Sequence, residues 1–167
     1  SDADGFLGDA PIWGRFWENP ALTAAERATL LRARDRARER MERLVEDGID
    51  FGLIHADVLR ENVLDDGERL SLIDFDDSGW GFRAYDLATA EVQGLEDPMN
   101  PVASSALWEG YTQQRRADAP PLGPVPFFVA MRTFASARWI ISRAPPDDPR
   151  QSFYAGRAVR AVEALVL

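Results

Sequence analysis

The chain contains no cysteine, no lysine and a single histidine. Without thiols, disulfide staples, thiolate metal sites and cysteine nucleophiles are excluded. All 19 basic side chains are arginines, so chemistry that needs an ammonium group must draw it from elsewhere. No apolar run reaches the length of a bilayer span, and no basic-then-apolar leader opens the chain. A soluble, cytoplasmic protein with no membrane partner is therefore expected. Positive charge is also scarce: 28 acidic residues stand against 19 basic ones, for a net charge of -9. Phosphate backbones need a positive field, so nucleic acid is not an expected partner. A cationic small molecule or a metal-bound anion suits this balance better. The first residue is Ser1 rather than methionine, which points to a processed or cut amino end.

What is present is enough for one domain. A compact chain of 167 residues buries roughly 70% of the surface its unfolded form exposes, so a core can form without covalent staples. The stretch before Pro20 is rich in Gly, Pro and aromatics and reads as an irregular lead-in. Its Phe6, Trp13, Phe16 and Trp17 are expected to pack on a later core. Thr23 and Glu26 form a capping box that opens a long helix. Leu30, Ala33, Ala37, Met41, Leu44 and Val45 recur there at helical spacing, and Gly48 is a plausible stop. The arginines from Arg27 to Arg43 alternate with Glu26, Asp35, Glu39 and Glu42, as on a solvated, salt-bridged face.

From Phe51 the texture changes. A short apolar run, Phe51 to Ile54, leads to His55. Asn62–Leu64 and Arg69–Ile73 flank Asp66-Gly67 and read as a β-hairpin, with that dipeptide supplying the positive φ angles of a tight turn. Asp74 to Arg83 reads as a polar loop. Helices are expected over Ala84–Gly94, Asn100–Arg116 (opened by Asn100-Pro101), Phe127–Arg143 and Arg150–Leu167. The balance is mainly α with one small β-hairpin, an α+β class.

The chemistry lies in His55-Ala56-Asp57-Val58-Leu59-Arg60-Glu61-Asn62 and in Ile73-Asp74-Phe75-Asp76-Asp77. A hairpin folds its outer ends together, so Asn62 and Asp74 share one end, with Asp57 just upstream. Hard oxygens from Asp and Asn suit magnesium, which keeps waters and takes further ligands from phosphates. That leaves Asp57 to orient or deprotonate a hydroxyl. An acceptor hydroxyl, a divalent ion and a nucleotide phosphate together define phosphoryl transfer.

HADVLRENVL (residues 55–64), LIDFDD (72–77) and YDLA (85–88) resemble the catalytic core of the aminoglycoside phosphotransferase and choline kinase-like superfamily, which has the protein-kinase-like fold. The resemblance implies that Asp57 is the catalytic aspartate and that His55 props the catalytic loop. It implies that Asn62 and Asp74 hold Mg2+ against the phosphates of ATP, that Asp76 contacts a second metal or a water, and that Asp86 braces the loop from behind. The acceptor would be a hydroxyl on a small, amine-containing molecule such as an aminoglycoside, homoserine or a choline-like alcohol. The family usually has glycine where Ala56 stands, and smaller or neutral residues at Arg60 and Glu61. A nucleotide lobe with its lysine and Gly-rich loop has no counterpart here, so residues 1–167 read as a single domain, the C-terminal lobe only, whose partner is the missing N-terminal lobe. Such a fragment is expected to be inactive alone.

Simpler readings stand beside these. A lone histidine is usually a hydrogen-bonding scaffold. Asp57 and Asn62 could be turn residues. Asp74 ends an apolar strand, where an acid needs a partner. Trp80, Phe82, Trp108, Tyr111 and Trp139 could cage a cation or simply form core. Arg132, Arg138 and Arg143 are expected to pair with carboxylates. Two other functions compete: a catalytically inactive, pseudokinase-like binding or regulatory module, and a metal-dependent hydrolase, the latter disfavoured by the single histidine.

Overall fold

The computed structural model describes residues 7–9, 11 and 14–165. Phe6 and Trp13 of the lead-in, and the last two residues of the expected closing helix, lie outside the described residues. In chain order the elements are α1 (Ala24–Glu46), β1 (Phe51–Ile54), β2 (Val63–Asp65), β3 (Leu70–Leu72), β4 (Gly79–Phe82), α2 (Arg83–Val92), α3 (Asn100–Gln114), α4 (Val125–Trp139) and α5 (Pro149–Ala161). The chain divides into two compact units, Ser1–Asp47 with Ala130–Leu167, and Gly48–Val129. Helix α4 carries residues of both.

In the first unit the capping box is formed as expected. Thr23 Oγ accepts from Glu26 N at 3.2 Å, and Glu26 Oε2 accepts from Thr23 N at 2.9 Å. Leu30, Ala33, Ala37 and Met41 are the buried stripe of α1, whereas Val45 is half exposed and stays outside it. Gly48 takes the left-handed φ of 68° that ends the helix, a conformation glycine adopts without a β-carbon clash. The arginine-rich face is paired within itself, as in Arg38–Glu42 at 3.3 Å and Arg34–Asp35 at 2.7 Å. Exposed pairs of this kind add little stability.

Of the lead-in aromatics, Phe16 and Trp17 pack inward. Phe16 stacks on Phe134 at 4.4 Å and meets Trp17 edge-on at 5.0 Å. Asn19 is fully buried and fully bonded: Nδ2 donates to Ala137 O at 2.9 Å and Gln151 Oε1 at 3.1 Å, and Oδ1 accepts from Ala21 N. Gln151 Nε2 then donates to Ile140 O and Ala144 O. A satisfied polar network of this kind fixes one packing of lead-in, α4 and α5. Helix α5 opens one residue earlier than expected, at Pro149, because Asp148 supplies the cap and proline is preorganised for the first helical position. Arg143 does not find a carboxylate; its guanidinium lies over the Trp139 ring at 4.7 Å.

The second unit holds two small antiparallel sheets. The hairpin pairs β2 with β3 in the register Val63↔Leu72, Leu64↔Ser71 and Asp65↔Leu70. Its turn differs from the tight form expected. Only Gly67 has a positive φ, 87°, and Asp66 instead accepts from Glu68 N and Arg69 N in a four-residue loop. Strand β4 was not legible in the polar stretch before Arg83. It pairs with β1 through Phe51↔Phe82 to Ile54↔Gly79. Glycines are depleted in strands, yet here two sit where neighbouring side chains close on the backbone. A β-carbon on Gly81 would collide with Ile54, and one on Gly52 with the Arg83 guanidinium. Phe82 is core, edge-on to Phe51 at 5.2 Å and near Phe128 at 5.5 Å, while Trp80 is 71% exposed. The expected cap of α3 is also displaced. Met99 occupies the cap position without a side-chain bond, Asn100 is the first helical residue, and its side chain packs against Gly94.

Candidate active site

Strand β1 delivers the chain into the loop His55-Ala56-Asp57, a single 3-10 turn at Arg60–Asn62, and β2. Ala56 sits at φ 67°, where a β-carbon crowds the backbone and costs about 1–2 kcal/mol. Asp86, in the first turn of α2, holds this conformation. Its two carboxylate oxygens accept from His55 N at 2.9 Å and Ala56 N at 2.7 Å. Burial pushes the Asp86 carboxyl above its ordinary range, and the two amide bonds and the Arg83 charge oppose that shift. The charge is tolerated because those donors and the helix N-terminus face it.

The His55 ring is buried and clamps both sides of the site. Nε2 donates to Ile73 O at 2.9 Å, and Nδ1 accepts from Asp57 N at 3.3 Å. Both bonds are made together by the neutral tautomer with its proton on Nε2. The ring also packs on Phe75 at 4.5 Å. His55 thus holds the residues on either side of Asp74.

Asn62 is buried, and its amide nitrogen is used twice, donating to Asp57 O at 2.9 Å and Asp57 Oδ2 at 3.1 Å. Among the described residues its Oδ1 accepts no hydrogen bond, so it is available to a cation. Asn62 O accepts from Ile73 N at 3.0 Å, closing the hairpin end. The structure therefore joins Asp57 to Asn62 directly, and Asn62 to the residue before Asp74 through the backbone. Asp74 has φ 62°, one of two positive φ angles on non-glycine residues among the described residues; the other is Ala56. Asp tolerates this region better than most side chains.

One expectation about the acids changes. Asp74 does not end a buried strand: Leu70, Leu72, Ile73 and Asp74 are all exposed, so burial is not what demands a partner for it. Its claim to a role rests on the backbone clamp and the left-handed turn. Asp76 lies on an exposed turn closed by Ser78 N on Phe75 O at 3.0 Å, and no contact joins its side chain to Asn62 or Asp74. Arg60 and Glu61 are held by Gln93, which accepts from Arg60 N at 2.7 Å and donates to Glu61 Oε2 at 2.8 Å. Gln93 is a residue that sequence reasoning missed, because its partners lie more than thirty positions away. Among the described residues no three His, Cys, Asp or Glu side chains form a metal cluster. The donors present are two carboxylates and a carboxamide oxygen, which suit a hard cation that keeps waters and draws other oxygens from phosphates.

A strained loop closed by an aspartate, a bonded Asp–Asn pair and a hairpin with a left-handed Asp define the C-terminal lobe of a protein-kinase-like fold. The chain belongs to the phosphotransferase enzyme family, whose sequence model matches residues 7–121. It is similar to a microcompartment-associated aminopropanol kinase, with 31% identity and a TM-score of 0.74, covering 96% of this chain and 50% of that one. Two further structures share the fold. An amicoumacin kinase in complex with AMP-PNP, Ca2+ and Ami is 18% identical with a TM-score of 0.66, covering 89% of this chain and 48% of that one. A choline kinase from Streptococcus pneumoniae is 18% identical with a TM-score of 0.63, covering 90% and 52%. The chain thus spans about half the length of each. No curated protein matches it. No helix among the described residues is long and apolar enough to cross a membrane.

One stability prediction follows from Ala56. Ala56→Gly removes the β-carbon from a left-handed residue at the cost of a more flexible unfolded chain. It is expected to raise stability by about 0.5–1 kcal/mol, read as a shift of the denaturant midpoint at constant m-value. A fall in the midpoint would show that the Asp86 clamp leaves no strain to relieve.

Proposed function

We propose that this chain is the acceptor and metal-binding half of an ATP-dependent small-molecule kinase. The observation that carries the reading is the bonded Asp57–Asn62 pair, 3.1 Å apart, beside a clamped Asp74. In this reading the Asp57 carboxylate accepts the proton of the substrate hydroxyl as that oxygen attacks the terminal phosphorus of ATP. Asn62 steers Asp57 through its amide and offers Oδ1 to Mg2+, which Asp74 also holds; Asp76 contributes at most through water. When bound, the ion neutralises charge on the phosphate oxygens. His55 and Asp86 keep the loop in its strained form and touch no reactant.

The nucleotide lobe lies outside these 167 residues in this reading. The strands next to the site support a missing partner: Leu53, Leu64, Leu70, Phe75 and Trp80 are all more than half exposed. Such apolar exposure marks an interaction surface. The acceptor is proposed to be an amino alcohol, by likeness to the aminopropanol kinase, with choline-like alcohols, homoserine and aminoglycosides as alternatives. The test is a panel of these acceptors with ATP and Mg2+ on the full-length protein, read as ADP release and phosphorylated product. Turnover of one amino alcohol supports the reading. Silence across the panel, with ATP bound, favours the second reading, a binding module without turnover, which the absence of lysine from this chain supports.

A further inference from the structure

A second, charged cleft of about 450 Å3 lies at the far end of β1 from the catalytic loop. Asp50, the residue before β1, is buried there, and both its oxygens are engaged. Arg83 Nε donates to Oδ1 at 3.2 Å and Arg115 Nη2 to Oδ2 at 2.8 Å. Arg115 Nη2 also donates to Pro120 O, and Arg83 Nη1 to Leu53 O at 3.0 Å. These bonds do not exhaust the guanidiniums. Arg83 Nη2, and both Nε and Nη1 of Arg115, have no acceptor among the described residues. Tyr111 and Gln114 line the same cleft and make no side-chain hydrogen bond either.

Arg116 and Asp118 neutralise each other through paired bonds of 2.9 and 2.7 Å. Arg83 and Arg115 face Asp50, and Asp86 is within electrostatic reach of Arg83 and Tyr111, so the unused donors rather than net charge point to a ligand. Burial, followed by the Asp50 charge, pushes the Tyr111 phenol up, so it remains a hydrogen-bond donor at neutral pH. A buried donor normally finds a partner, and Arg115 Nε is buried without one among the described residues. Here the unused donors belong to residues that line one concave space large enough for a small metabolite.

We propose that this cleft binds a small oxyanion, a carboxylate or phosphate group on a small molecule, between Arg83 and Arg115 with the Tyr111 hydroxyl as a further donor. Planar guanidinium forks match both groups, and charge-assisted bonds of this type are the strong ones. The site is independent of Asp57 and stands whether or not the chain is half of a kinase.

The experiment is calorimetric titration of the 167-residue protein, at low salt, with inorganic phosphate and separately with succinate. Saturable, one-to-one binding of at least one is expected. Phosphate alone assigns a phosphoryl ligand, succinate alone a carboxylate ligand, and both a general oxyanion site. Arg115→Gln is expected to remove binding, but it also weakens the hold on Asp50. The decisive variant is therefore Tyr111→Phe with Gln114→Ala, which breaks no existing bond and is expected to weaken binding about tenfold. No saturation by either anion, or unchanged affinity in that double variant, overturns the proposal.

Discussion

On the proposed kinase reading, Asp57→Asn in the full-length protein is expected to lower kcat about 10³-fold while leaving nucleotide affinity within about twofold. The substitution preserves shape. Asn62 Nδ2, now 3.1 Å from Asp57 Oδ2, can donate to a carboxamide oxygen at that position, and the backbone bond to Asp57 O is untouched. What disappears is the ability to take a proton from the acceptor hydroxyl. A uniform-binding role would raise KM instead, so the split between kcat and KM separates the two. Turnover at the parent rate in a correctly folded variant would remove Asp57 from the reaction.

The same site shows what a sequence can and cannot disclose. HxDxxxxN, the hairpin and YDLA were readable because each is a local pattern with a local cause. The loop needs a short strand before it, the hairpin needs Gly67 in its turn, and Asp86 needs a helix start. Strand β4 was hidden because its two glycines and lone exposed Trp80 carry no alternating apolar pattern. Gly81 makes room for Ile54 across the sheet, which no pattern within residues 79–82 announces. Exposure was misread for a related reason. Leu70, Leu72 and Ile73 look like a core strand by composition, yet the hairpin presents them outward. Apolar sequence tells that a surface seeks cover; only the fold tells whether this chain supplies it. Gln93 and the Arg83–Asp50–Arg115 triad were beyond reach because their partners are far away in sequence. Nothing local distinguishes a bridging glutamine or a paired arginine from a solvated one.

Asp86 tests the loop from behind, and its effect on turnover is expected to be nearly as large. Asp86→Asn keeps one acceptor oxygen and turns a donor toward the second amide, so either His55 N or Ala56 N loses its bond, now 2.9 and 2.7 Å. Both residues are buried, and an unsatisfied buried amide costs about 1–3 kcal/mol. The strained Ala56 conformation then has one tether, and Asp57, the next residue, loses its fixed position. A drop in kcat of about 10²-fold is expected. Stability should move far less, because the variant also removes a carboxylate whose ionisation burial opposes. The sign follows from linkage. A carboxyl with a folded-state pKa above the 3.8 of an ordinary aspartate binds its proton more tightly folded than unfolded. The parent should therefore lose stability from this group as pH rises from about 3.8 through the raised value, and the loss persists above it. Asp86→Asn should abolish that component, so the difference in unfolding free energy between parent and variant changes with pH across this window and is flat above it. Denaturant titrations at a series of pH values measure it directly. A pH-independent difference would mean that Asp86 is not held in the half-desolvated clamp that the amides of His55 and Ala56 describe, and a variant with unchanged kcat would free the catalytic loop from any dependence on it.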